Sequence, residues 1–172
     1  MTTRALTTVL LGLLWLAAAE AQTGMDPALL KRLFPAATSF SPKGGDPPHV
    51  KAFSGDAKAP TLIGLAFWTT ELEPLERGYD GPIKILVGLD TRGVLAGVIV
   101  AEHHEPYGNF SIDVPRYPAQ LTGKSVRDPF KVGGDVDAVA RATITMTSAT
   151  RAVRNSARRI ARTYLVPPEA AK

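Results

Sequence analysis

The chain contains no cysteine. A structural disulfide, an iron–sulfur cluster ligated by this chain and a cysteine-based zinc site are therefore excluded. Histidine is scarce, with three in 172 residues. The adjacent pair His103-His104 fits no zinc spacing signature, and neighbours on a strand point to opposite faces. A strong charge of one sign is also missing. The formal net charge of +4 falls short of a nucleic-acid footprint, so no nucleic-acid partner is expected. No catalytic triad, pair of acid–base carboxylates or substrate motif stands out. Beyond the N-terminal segment, no run is long and apolar enough to cross a membrane.

That N-terminal segment reads as an export signal. Arg4 supplies the positive start, Val9 to Ala19 is continuously apolar, and Ala19-Glu20-Ala21 fits a small-x-small cleavage site. The expected division is a signal peptide at 1–21, an N-terminal helix and loop extension at 22–60, one domain at 61–166 and a tail at 167–172. The expected location is the periplasm, with no membrane span after signal removal.

The whole chain, at 45% apolar and 21% charged residues, is ordinary for a globular protein. Asp26 to Phe34 predicts a short helix, with Asp26 as cap and Pro27 at the first helical position. Residues 36–60 read mostly as loop, with a short strand around His49 to Phe53. Thr61 to Thr69 reads as a strand. Ile83 to Leu89 and Val94 to Ala101 form the clearest hairpin, turning at Asp90-Thr91-Arg92-Gly93. Both hairpin strands are apolar on nearly every residue, so both faces should be covered and at least one helix should lie on the sheet. Val136 to Thr147 reads as partly extended. Ser148 to Leu165 predicts an amphipathic helix, with Ala149, Val153, Ala157, Ile160, Ala161 and Tyr164 on one face and Arg151, Arg154, Arg158 and Arg162 on another. That arginine row suits either solvent or an acidic partner. The expected class is α+β, a small, mostly antiparallel sheet with packed helices.

The segment Asp137-Ala138-Val139-Ala140-Arg141-Ala142-Thr143 resembles the attachment motif of the FMN-binding domain family, found in RnfG- and NqrC-type subunits and in NosR/NirI-type regulators. Further pieces follow in order: Gly78 to Asp90, Gly93 to Gly97, His103-His104-Glu105-Pro106, Gly123-Lys124 and Ser148 to Val153. Leu33 to Thr38 and Pro47-Pro48 resemble the NosR/NirI group in particular. The resemblance spans roughly residues 25 to 165. The family usually has Ser or Thr where this chain has Ala140, and Gly where it has Arg141. The membrane helices and ferredoxin-type cysteines of NosR-like proteins are absent.

The resemblance implies FMN joined by a phosphoester to the Thr143 hydroxyl, installed by a dedicated flavin transferase. It also implies a membrane or periplasmic redox partner, for an electron carrier rather than an enzyme with its own substrate. Asp137, Arg141, Ala142, Thr143 and Thr145 make up the attachment segment, and His104 and Glu105 lie where the family meets the flavin ring. If 141–145 is extended, Arg141, Thr143 and Thr145 point the same way, the arginine and Thr145 toward phosphate. A helix starting near Thr147 or Ser148 would then add its positive end. Trp68 and Tyr79 are further candidates for stacking near the flavin. Ala140 and Arg141 leave open an alternative, a cofactor-free periplasmic binding or regulatory module that assists a respiratory enzyme.

Overall fold

The computed structural model describes residues 24–165. The expected signal peptide and the tail lie outside them. The first helix, α1 (Pro27–Leu33), begins as the sequence predicts: the Asp26 carboxylate accepts from the Ala28 N–H at 2.8 Å and Pro27 opens the first turn. Five strands follow: β1 (Ser39–Phe40), β2 (Val50–Ser54), β3 (Thr61–Trp68), β4 (Lys84–Asp90) and β5 (Leu95–Glu102). They form one antiparallel sheet in sequence order. Short helices α2 (Thr69–Leu72) and α3 (Arg116–Leu121) precede the long C-terminal helix α4 (Thr143–Tyr164). The α+β class and the β4–β5 hairpin are as the sequence predicts.

Both sheet faces are buried, as the continuous apolar strands require. On β4, Ile85, Val87 and Leu89 point to one face, and Leu86 points to the other. The first face carries the larger core, where Leu65 and Phe67 join Met146, Ala149, Val153, Ala157 and Ile160 of α4. The second face is covered by Leu30, Leu33 and Phe34 around α1, against Ala66, Trp68 and Leu86. Each leucine or phenylalanine withdrawn fully from water contributes roughly 1.5–3 kcal/mol, so α1 is a structural cover. Residues 22–60, expected as a helix and loop extension, supply that cover and two of the five strands.

Two expectations fail in the C-terminal third. The stretch 136–147 is not extended: it is a loop that becomes helical at Thr143, five residues before the expected start at Ser148. Threonine and β-branched residues weakly disfavour helix, which masks this first turn in the sequence. Burial decides instead, because Thr145, Met146, Ser148 and Ala149 all face the interior. Tyr164, expected on the buried face, lies at 36% exposure and packs against His49 with ring centroids 4.3 Å apart and the planes tilted by 52°.

The fit of α1 depends on a track of small residues. A Cβ at Gly64 would overlap the Phe34 ring and lie 2.7 Å from the Leu89 carbonyl oxygen, and one at Gly97 would lie 3.0 Å from Leu33. Gly64→Val is therefore expected to expel Phe34 from the sheet. A loss of about 2–3 kcal/mol in urea unfolding is the expected outcome, on the scale of core overpacking.

Candidate functional site

The site is organised by Glu105, which follows β5 and is 6% exposed. Its carboxylate accepts hydrogen bonds from the Tyr79 N–H at 2.9 Å, the Asp80 N–H at 2.8 Å and the Thr145 hydroxyl. Gly78 lets this turn close around the acid, since a Cβ there would overlap the carboxylate. Burial pushes the Glu105 carboxyl up, but the bonds from Thr145, Asp80 and Tyr79 outweigh it and hold the pKa below the ordinary glutamate range. The neighbouring loop is fixed separately. His103 Nδ1 accepts from the Glu105 N–H at 3.1 Å, and Nε2 bonds the Asp113 carboxylate at 2.8 Å.

Helix α4 begins at this carboxylate. Ala142 occupies its N-cap and offers no side-chain hydrogen bond, so the first-turn N–H groups lack the usual side-chain acceptor. Arg141 turns the chain into the helix with a φ of +68°, a left-handed conformation that costs a residue with a Cβ about 1–2 kcal/mol. The Thr143 and Ile144 side chains face solvent, while Thr145 turns inward to Glu105.

An open cavity of about 280 Å³ lies over this first turn, lined by Tyr79, Tyr107, Arg141, Thr143, Ile144 and Thr145. Its rim is unusually apolar for a surface. Tyr79 is 71% exposed and Ile144 56%, and the Tyr107 ring packs at 5.4 Å on Phe110, which is also exposed. Exposed apolar clusters of this kind mark ligand or partner contacts more often than isolated exposed residues do. No described carboxylate or imidazole bonds the Thr143 hydroxyl. The Arg141 guanidinium is likewise without an ion-pair partner among the described residues.

Thr143, Arg141 and Thr145 thus meet at one cavity, by a helix start rather than by a strand. The helical turn separates Thr143 from Thr145, and the latter is committed to Glu105. Ala142 is buried beneath them. Glu105 stands behind the wall, bonded to two of the lining residues. Asp137 lies on a neighbouring cleft with Phe110 and Gln120, and its carboxylate pairs with Arg116 at 2.7 Å. His104 is exposed and does not line the cavity. Trp68 sits on the opposite sheet face under Lys84, away from the site, whereas Tyr79 lines it.

Residues 78–158, which carry every cavity-lining residue, match the family model for the FMN-binding domain. This segment is an FMN-binding domain. Similar chains include the G subunit of the ion-translocating oxidoreductase complex of Vibrio vulnificus, 37% identical over 89 residues, covering 46% of this chain and 42% of that protein. The protein of the same name from Pseudomonas aeruginosa PAO1 is 34% identical over 135 residues, covering 70% and 59% respectively. That of Photorhabdus laumondii is 35% identical over 102 residues, covering 54% and 47%. The chain thus spans about half the length of the curated relatives it matches.

The cavity of the FMN-binding domain fits such a group. Tyr79, Tyr107 and Ile144 offer an apolar surface to a flat ring system. Arg141 and the uncapped helix start offer positive potential to a phosphate.

The same geometry governs stability. Glu105→Gln should destabilise the FMN-binding domain by about 1–3 kcal/mol at neutral pH, because it sets an amide N–H against groups that already donate. The unfolded glutamate titrates near about 4.3, so the stabilisation from ionised Glu105 is complete above that value. It fades as pH falls through the lower folded pKa, and the variant should lose that part of the acid slope in urea titrations. Arg141→Gly should instead stabilise by up to about 1 kcal/mol, since glycine takes the left-handed conformation without the Cβ penalty. Differential scanning calorimetry of both proteins checks this.

Proposed function

We propose that the protein is an exported electron carrier whose FMN is joined by a phosphoester to Thr143, relaying electrons to or from a respiratory membrane or periplasmic partner. The observation that carries this reading is the Thr143 hydroxyl, exposed on the first turn of the longest helix and opening on an apolar cavity within the FMN-binding domain. The attachment-motif resemblance from Asp137 to Thr143 supports the covalent link. The names of the similar chains, subunits of an oxidoreductase complex, support a redox partner. The pattern from Arg4 to Ala21 supports export.

When bound, the flavin supplies the one- and two-electron redox chemistry. The chain's own residues bind and orient it. Arg141 and the first-turn N–H groups of α4 would balance its phosphate charge, and Tyr79, Tyr107 and Ile144 would offer its ring an apolar surface. Glu105 holds the turn bearing Tyr79 against the turn bearing Thr143, fixing the ring surface relative to the attachment point. Thr145 serves this framework through its hydrogen bond to Glu105.

A threonine hydroxyl is a weak nucleophile, and no described base bonds it. Esterification therefore needs a separate flavin transferase, which removes the Oγ proton. In that exchange the Thr143 oxygen would form the new phosphoester bond, and the phosphate displaced from an anhydride donor would leave with the bonding electron pair. Intact mass of the exported protein, made with and without a coexpressed flavin transferase, tests the reading. The expected result is a gain equal to FMN less one water on the peptide holding Thr143, absent from a folded Thr143→Val variant. An adduct that survives in Thr143→Val, or an unmodified mass under both conditions, overturns the covalent assignment.

A further inference from the structure

The last turn of α4 carries a second feature that the flavin site does not use. A cleft of about 310 Å³ lies between the β4–β5 turn, the loop at 125–127 and the end of the helix. Arg92, Arg127, Arg158 and Arg162 surround it, and Val126 and Leu165 contribute apolar surface. All of its cations are arginines, whose planar forks suit carboxylate pairs better than a lysine ammonium does.

The cleft's positive charge is only partly answered. Arg92 is matched by Asp90, with Nε and Nη2 at 3.0 and 2.9 Å from one carboxylate oxygen. The Asp128 carboxylate, near the rim, accepts from the Ser125 N–H. Arg158 donates to the carbonyl oxygens of Val126 and Asp128, both at 2.8 Å, which fixes its guanidinium without cancelling its charge. Arg127 and Arg162 are exposed and have no carboxylate partner among the described residues. Other cations of this chain do find one, as in Lys43–Glu71, Lys124–Asp135 and Arg151–Glu76. A fixed guanidinium flanked by two that lack a carboxylate partner among the described residues is prepared for an anionic visitor at little ordering cost.

We propose that this cleft docks a carboxylate-rich segment of a protein partner, as an anchoring contact separate from the face where electrons pass. The concave shape and mixed apolar lining favour an inserted peptide over a flat anionic surface. Nineteen residues separate Thr143 from Arg162 along α4, or about 28 Å at about 1.5 Å per residue. A partner held here leaves the cavity around Thr143 uncovered. The separation of roles rests on the flavin reading above, whereas the cleft's charge and shape do not.

The test uses the full mature chain and a fluorescein-labelled glutamate-rich decapeptide, followed by fluorescence anisotropy. Binding is expected at low salt and should weaken as ionic strength rises to about 0.15 M. The pair Arg127→Glu and Arg162→Glu should lower affinity by about tenfold or more with the thermal midpoint unchanged. Thr143→Val should bind as the parent does, which separates this proposal from the flavin assignment. The control pair Lys31→Glu and Arg32→Glu, on the exposed side of α1, makes the same charge change elsewhere and should leave affinity intact. Equal loss in the control, or no loss in the cleft variant, overturns the proposal. So does the absence of peptide binding, including the case where phosphatidylglycerol vesicles instead co-sediment with the parent and not with the cleft variant.

Discussion

One buried carboxylate joins three stretches of chain that are far apart in sequence. Glu105 comes from the end of the β4–β5 hairpin, its backbone donors from the turn at 78–80, and its hydroxyl donor from the first turn of α4. A charge removed from water is tolerable only when hydrogen bonds replace its hydration. The requirement works in reverse as well. Because Glu105 needs all three donors, the turn and the helix start are held at fixed positions, and the cavity is the space left between them. Glu76 performs a similar service one turn further along, where it accepts from Ser148 and pairs with Arg151. Two acids from one side of the sheet thus set the rotation and height of the long helix.

Much of the fold was legible because its signals are local. Asp26 and Pro27 mark a helix start by capping chemistry, and the β4–β5 hairpin is marked by two apolar runs around a Gly-ended turn. The continuous apolar character of β3, β4 and β5 implied cover on both faces. It did not say that α1 would provide one of the covers, because that depends on glycines on adjacent strands coming into line only after the sheet forms. The strand pairing of residues 39–54 was obscured by proline and glycine for the same reason: its stability comes from β3, not from its own composition.

In the site, the extended reading of 141–145 was the wrong local geometry. Thr143 and Arg141 border the cavity, but Thr143 opens a helix, so its spacing to Thr145 separates the two side chains rather than aligning them. Extending the helical period back from Arg151 by seven residues puts Ile144 on the solvent side, a mismatch that could have exposed both the earlier helix start and the apolar rim. Tyr107 and Phe110 gave no periodic signal, because Tyr107 precedes and Phe110 ends a single 3-10 turn, Gly108–Phe110, that follows Pro106. His104 and Glu105 show the limit of reading neighbours together. One faces solvent, while the other is the most constrained acid of the site.

The position of Thr143 also bears on the order of events in the protein's life. Its side chain stands outside the packed interior, yet the helix it opens exists only because Met146, Ala149 and Val153 are buried against the sheet. The Thr143 hydroxyl therefore acquires its defined setting only once the chain has collapsed, and it remains exposed in the folded chain. The attachment proposed at Thr143 thus makes folding and modification separate steps, with the group added to a finished surface.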